Sequence, residues 1–434
     1  VIGGGLAGLA AAIDLLDRGV KVKVVEKKPF LGGRAGSFSW KGREIDIGQH
    51  MHVGAFKNYL NLLHKLGLDD RVWLQKRLEV NFVDSSEKKG SIKAGKLPAP
   101  FHLYSSLMNF PFLKFTDKLS CVSPCLAAPR EKISVRENST LREWLISNGA
   151  SEESIDKIWN PLIVATLNAP CSEVGLDMGL MIIKKVLLDK AGGRLGFLRA
   201  PLGLVGEKAY EYIDKRGGKV ITSNRVKSIK MKEGKFVALE LSKGEEVSSR
   251  CCISAVPSPN LLKILSEKAK NELAFEKLSD IKWDPIVNIN LFYDNQPMEE
   301  RFLGALDTRI QWIFNVDRIR AKKDGHTSIT LSNAHEAVKE DPGYLAREMD
   351  RDLRKILPKK MEDNVLNDYL VLKQRRATFR SSPSVSNHRP GPETDLTGLF
   401  LAGDWIATGW PSTMEGAVRS GLNASRSEER RVGK

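Results

Sequence analysis

Val1-Ile2-Gly3-Gly4-Gly5-Leu6-Ala7-Gly8 opens the chain; an Ala/Leu-rich run follows to Arg18-Gly19, and then comes Lys21-Val22-Lys23-Val24-Val25-Glu26. The apolar start reads as a buried strand, the glycines as a tight turn, the Ala/Leu run as a helix stopped by Gly19, and Lys21–Glu26 as a second strand. Each motif glycine has a separate task. Gly3 permits the turn, Gly5 lets backbone approach a pyrophosphate, and Gly8 lets the helix lie close to the strand. The helix N-terminus offers free N–H groups and partial positive charge to phosphate. Glu26 ends the second strand at the spacing of about 20 residues expected for an acid that binds ribose hydroxyls. A βαβ unit that binds a dinucleotide is the prediction.

Further along, Leu31-Gly32-Gly33-Arg34 follows Glu26 almost directly. Gly33 allows a second close backbone approach, and Arg34 offers phosphate a planar guanidinium fork. Near the other end, Leu401-Ala402-Gly403-Asp404-Trp405 reads as a buried strand that delivers Asp404 to a loop. A helix is predicted to start near Thr413, within Ser412-Thr413-Met414-Glu415-Gly416-Ala417. Its N–H groups would stabilise negative charge on a bound ring system. These pieces together resemble the large flavoprotein family that holds amine oxidases and carotenoid desaturases. The resemblance implies non-covalent FAD, with Gly3, Gly5, Gly8, Glu26, Gly33, Arg34, Gly403, Asp404, Thr413, Met414 and Glu415 around it. It also implies a backbone contact to the adenine part from Val226, in the strand-like Asn224-Arg225-Val226.

Six stretches narrow the resemblance: Asp46-Ile47-Gly48-Gln49-His50, Leu97–Pro100, Trp159–Leu162, Leu167–Pro170, Arg375–Phe379 and Gly409–Gly421. They look like the hydroxysqualene dehydroxylases, a squalene-associated branch of the desaturase-like flavoproteins. That branch implies a C30 isoprenoid carrying an allylic alcohol as substrate and hydride delivery from reduced flavin. On this reading His50 is the candidate proton donor, and Phe379, Trp405 and Trp410 are candidates for an apolar wall that tolerates a cation. A carotenoid desaturase, an amine oxidase and a flavin-binding protein without turnover are the alternatives. No residue pattern names an electron donor.

Composition sets the remaining bounds. The chain has 434 residues, 41% hydrophobic and 28% charged, with a formal net charge of +15. No nucleic-acid motif accompanies that charge, so nucleic acid is not expected as a partner. The five cysteines form no Cys-x-x-Cys and no zinc spacing, and no metal is expected. Reduced thiols suggest a reducing, cytoplasmic compartment. No run of roughly 18 apolar residues is present to cross a bilayer. Phe101–Phe115 is aromatic and apolar, with Lys88, Lys89, Lys93 and Lys96 ahead of it. That arrangement suits peripheral contact with the anionic inner face of a membrane, through Phe110 and Phe112 among others.

The expected fold is α/β: a Rossmann-type FAD-binding domain with a discontinuous α+β substrate domain. The FAD domain is expected from residues 1–75, 196–260 and 390–425, and the substrate domain from 76–195 and 261–389. Residues 84–98, polar and rich in Lys and Gly, read as a loop. The start inside a strand, without Met, reads as a clipped N-terminus. The last helix is expected to stop after Ala424, leaving 426–434 as a frayed or non-native tail.

Overall fold

The computed structural model describes residues 1–131, 138–383 and 385–432, with side chains described as far as Ser427. Val1-Ile2 lies at the centre of a parallel sheet. On one side of Ile2 come Lys23–Val25 and then Lys219–Ile221; on the other come Cys252–Ser254 and then Leu399–Leu401. Ile2 N donates to Ile253 O at 2.8 Å, while Val25 N donates to Val1 O at 2.9 Å. The two strands of this sheet that follow in the chain therefore lie on one side of the centre, and the last two on the other. The glycine turn sits where they diverge, at the carboxyl end of the central strand, the place where open α/β sheets bind ligands.

Helix Leu6–Asp17 covers one face of this sheet and packs along the last helix, Met414–Val432. Small residues make that contact possible. A Cβ on Gly421 would stand 2.1 Å from Ala7 O. The last helix therefore does not stop at Ala424. Ser425 Oγ donates to Asp14 Oδ2 at 2.6 Å, and Ser427 is still buried. The charged composition that suggested a frayed tail belongs to helix as far as Val432; residues 433–434 lie outside the described ones.

The second sheet has seven strands in the order Leu366–Phe379, Trp283–Tyr293, His326–Leu331, Trp312–Asn315, Phe302–Leu306, Glu79–Asp84, Lys89–Lys93. The last two strands form a hairpin, so 84–98 is not the loop that its polarity suggested. A polar, lysine-bearing strand is what a sheet edge carries. Gly90 also matters there, since a Cβ on it would stand 2.7 Å from both Pro111 and Phe112. One face of the sheet packs Val287, Ile289, Leu291, Ile313 and Ile329 against Leu345, Met349 and Leu353 of helix Pro342–Ile356. Asp341 caps that helix by accepting from Tyr344 N at 2.9 Å, with Pro342 at its first position.

The described residues between 101 and 187 are mainly short helices. The helices between 258 and 276 pack Leu261, Leu265 and Phe275 with Val226 and Leu399, on the side of the parallel sheet. Phe110 is fully buried and set edge-on to Phe82, and Phe112 packs on Phe110. Phe110 is therefore not a membrane-dipping side chain, while Phe112 is half-buried. Among the described residues no helix is long and apolar enough to cross a membrane, and no group of three or more His, Cys, Asp or Glu is placed to hold a metal. No disulfide links Cys121, Cys125, Cys171, Cys251 and Cys252.

Candidate functional site

The glycine turn is as tight as its sequence implies. Gly3 sits at φ +99°, and a Cβ on Gly8 would stand 1.9 Å from Gly3 O. Gly32 N donates to Gly4 O at 2.8 Å, which lays the second glycine pair against the first. Helix Leu6–Asp17 begins at Gly5 with no side chain capping it, so its first N–H groups face outward unclaimed. Buried Glu26 accepts from Gly4 N at 2.7 Å through Oε2 and from Lys28 N at 2.8 Å through Oε1. A bare helix N-terminus, a backbone stripped of side chains and a fixed carboxylate fit the diphosphate and ribose of a dinucleotide.

Arg34 and Asp404 join the two ends of the chain. Arg34 donates to Asp404 Oδ1 and to Ala377 O, each at 2.5 Å. Ser412 Oγ donates to the other carboxylate oxygen of Asp404. Gly403, at φ +136°, donates its N–H to Ser420 Oγ at 2.8 Å. Beneath the loop, buried Arg389 donates to Trp405 O at 3.1 Å, Trp410 O at 2.8 Å and Ile406 O, with Asp404 O at 3.4 Å. Its guanidinium lies 4.5 Å from the centre of the Phe379 ring. Burial pulls the Arg389 pKa down to about 10, against the opposing pull of Asp404 and Asp177.

Thr413 Oγ1 accepts from Gly416 N at 3.0 Å and so caps the last helix. Glu415 is fully buried, and its carboxylate accepts from Asn58 Nδ2 at 2.8 Å, Tyr59 N at 3.0 Å and Arg419 Nε at 2.6 Å. Those bonds pin the last helix to helix Lys57–Lys65. Met414 is buried at the helix start, and Val226 is buried opposite Leu241. Phe379 and Trp405 are fully buried in one apolar cluster with Val226, and Trp405 Nε1 donates to Val256 O at 3.0 Å. Trp410 packs edge-on to Phe56. All three sit in packed core around the loop rather than along one open wall.

His50 Nδ1 lies 2.6 Å from Gly48 O. Burial lowers its pKa, with Arg34 also opposing the charged form, so the ring is neutral at pH 7 and Nδ1–H donates to Gly48. His52 is fully buried, with Nε2 at 3.2 Å from Tyr59 Oη; burial drives its pKa down to about 3. The loop that carries His50 lies against the second sheet, where a Cβ on Gly48 would be 3.2 Å from Asn288 Oδ1. Asp46, just before it, is held by Ser37 Oγ at 2.6 Å, Leu202 N at 2.9 Å and a buried ion pair with Arg320 at 2.5 Å. Arg320, Arg389 and Asn288 went unmarked in the sequence. Each is a lone polar residue without a flanking motif, and only the fold brings it to the loops.

The flavin containing amine oxidoreductase family matches residues 6–427 of the chain. The chain is 27% identical to the hydroxysqualene dehydroxylase of Zymomonas mobilis, over 98% of this chain and 97% of that protein. It is 24% identical to the zeta-carotene desaturase of Synechocystis, over 98% and 96%. The crystal structure of an oxidoreductase from Methanosarcina mazei superposes with a TM-score of 0.76 at 20% identity, covering 98% of this chain and 99% of that one. With the cradle fitting a dinucleotide and the family spanning nearly the whole chain, the protein belongs to the flavin-containing amine oxidoreductases and is an FAD-dependent oxidoreductase.

Proposed function

We propose that the enzyme removes the hydroxyl group of a C30 isoprenoid allylic alcohol, converting hydroxysqualene to squalene. The observation that carries this reading is the buried face of the seven-stranded sheet opposite helix Pro342–Ile356. Across one row it presents Leu372, Asn288, Thr330, Trp312, Gly304 and Phe82 in register. The next row runs Leu370, Asn290, Ser328, Phe314 and Phe302. Neither row contains a carboxylate. An uncharged lining with four aromatic rings suits a polyisoprenoid, whereas a buried charged amine calls for a carboxylate partner. The full-length similarity to a hydroxysqualene dehydroxylase supports the same choice.

In the overall change a C–O bond breaks, a C–H bond forms, and the oxygen leaves as water after gaining one proton. Reduced FAD supplies the hydride when bound. The chain's part is to hold the cofactor through the glycine turns, Glu26, Arg34 and Asp404, and to align the isoprenoid along the aromatic rows with water excluded. His50 is the titratable group of the loop that lies against Asn288. With Nδ1–H given to Gly48 O, the neutral ring presents Nε2 as an acceptor, which orients an alcohol O–H. Proton donation by His50 needs the imidazolium form, which burial disfavours.

The test is product analysis after incubation with hydroxysqualene, phytoene or a polyamine, with flavin reduced or oxidised. Squalene formed only with reduced flavin is the expected result. Desaturated polyenes from phytoene, or an aldehyde from the amine, would replace this reading with a desaturase or an amine oxidase.

A further inference from the structure

The short helices between 101 and 127 carry apolar side chains on both sides, although Ser105, Asn109, Thr116 and Ser123 are exposed as well. Their inner side buries Leu103, Leu107, Phe110, Leu113, Cys121 and Pro124. Their outer side nevertheless exposes Phe101, Tyr104, Phe115, Leu119 and Leu126, and Leu97 precedes them. Phe115 is 66% exposed and Leu97 55%. A helix that met only water would carry polar residues on that side. Helix Tyr104–Met108 packs on Phe115–Ser120, which packs on Val122–Ala127, so the exposed apolar side chains are carried by consecutive, mutually packed helices. No other stretch of the described chain concentrates exposed large apolar side chains in this way.

Charge decides what these side chains meet. Residues 88–126 contain six lysines, at 88, 89, 93, 96, 114 and 118, against one acidic residue, Asp117. Lys96 and Lys114 are exposed at the two ends of the first helical segment. Lys118 Nζ donates to Met108 O at 2.8 Å and Lys88 Nζ to Pro111 O at 2.7 Å, which anchors the cationic rim to the loop between the helices. Lys190 Nζ reaches Lys96 O at 2.8 Å and adds another positive charge.

We propose that these helices dock the enzyme on an anionic lipid bilayer, with Leu97, Phe101, Tyr104, Phe115, Leu119 and Leu126 in the interface and the lysines among the head groups. Apolar side chains ringed by lysine are what a peripheral contact requires, and each basic residue near a negatively charged leaflet adds attraction that salt screens. A second copy of this chain would bring the same lysines face to face and repel, so a bilayer is the better-matched occupant. The sheet face behind these helices, through Phe82 packed on Phe110, is the one assigned above to the isoprenoid. Docking stands independently of that assignment, because it rests on exposure and charge alone.

The experiment is flotation of the full chain, loaded with flavin, on vesicles of phosphatidylcholine alone and of phosphatidylcholine with phosphatidylglycerol. Binding to the anionic vesicles that weakens with salt is expected, with at least a tenfold loss in the Phe101→Asp/Phe115→Asp double variant. Lys96→Glu/Lys114→Glu should lose the preference for phosphatidylglycerol. These side chains are exposed, so circular dichroism and flavin absorbance should stay unchanged in both variants. A parent protein that floats with neither vesicle, or a double variant that floats as well as the parent, overturns the proposal. So does an oligomer that the double variant dissociates without any change in flotation.

Discussion

Replacing Arg389 by Met is the sharpest test of how the loop after Gly403 is held. Met keeps an unbranched apolar side chain and removes the guanidinium, including its contact over the Phe379 ring. Two opposing terms set the magnitude. The pKa falls from 12.5 to about 10, so burial penalises the charge by roughly 3 kcal/mol, and the variant recovers that. Against this, the backbone carbonyls of Trp405, Ile406 and Trp410 lose their donor inside the protein. An unsatisfied buried acceptor costs about 1–3 kcal/mol, so three cost about 3–9 kcal/mol. The carbonyls outweigh the charge, and the expected net loss is about 3 kcal/mol. The denaturant midpoint of the flavin-free protein reads this directly. Flavin absorbance per chain should fall as well, since Asp404 begins the same loop. Equal midpoints and equal flavin content for Arg389→Met and the parent would refute the reasoning, because the carbonyls would then have other donors.

Three further outcomes are expected. Gly8→Ala should purify with little or no flavin absorbance, because its Cβ would collide with Gly3 O at 1.9 Å and push the helix off the turn. Glu415→Ala should lower stability by about 1–3 kcal/mol in chemical denaturation, since it leaves buried Tyr59 N, together with Asn58 Nδ2 and the partly exposed Arg419, without their shared acceptor. Acid should destabilise the fold through His52 and His326, whose pKa values burial lowers from 6.5 to about 3. Between those values the unfolded chain binds protons that the folded one refuses, so stability is full above pH 6.5 and declines as pH falls toward 3. From pH 7 to pH 5 the loss is about 2 kcal/mol for each histidine. A His52→Gln/His326→Gln variant should show a correspondingly flatter stability profile over that interval, and an unchanged slope would remove these two groups as its source.

The cofactor cradle was legible because it rests on backbone. A glycine that must not carry a Cβ is visible in the sequence, and so is an acid about 20 residues beyond it. Gly3, Gly8, Gly33 and Glu26 therefore stand in the structure as the spacing placed them. Residues 84–98 misled because polarity marks both loops and sheet edges, and pairing with Glu79–Asp84 is a tertiary fact. The last helix misled because charge on an exposed helix face looks the same as charge on a tail. Phe110 misled for the converse reason: an aromatic run says that apolar surface is needed, not which side of a short helix faces the core.

What no local pattern could show is the meeting of Arg34 with Asp404. Each was assigned to the cofactor on its own, one as a phosphate ligand and the other as a partner for ribityl hydroxyls or the pyrophosphate region. In the structure they bind each other at 2.5 Å. The topology makes this unavoidable, because the strand Leu399–Leu401 lies two places from Val1-Ile2 in the parallel sheet, and both strands end at the same edge. The pair also alters the electrostatic argument. A lone Arg34 would add a full positive charge to the cradle, whereas one shared with Asp404 adds much less. The uncapped N-terminus of helix Leu6–Asp17 is then left as the main attraction for diphosphate, and Arg34 acts first as the clasp between the two ends of the chain.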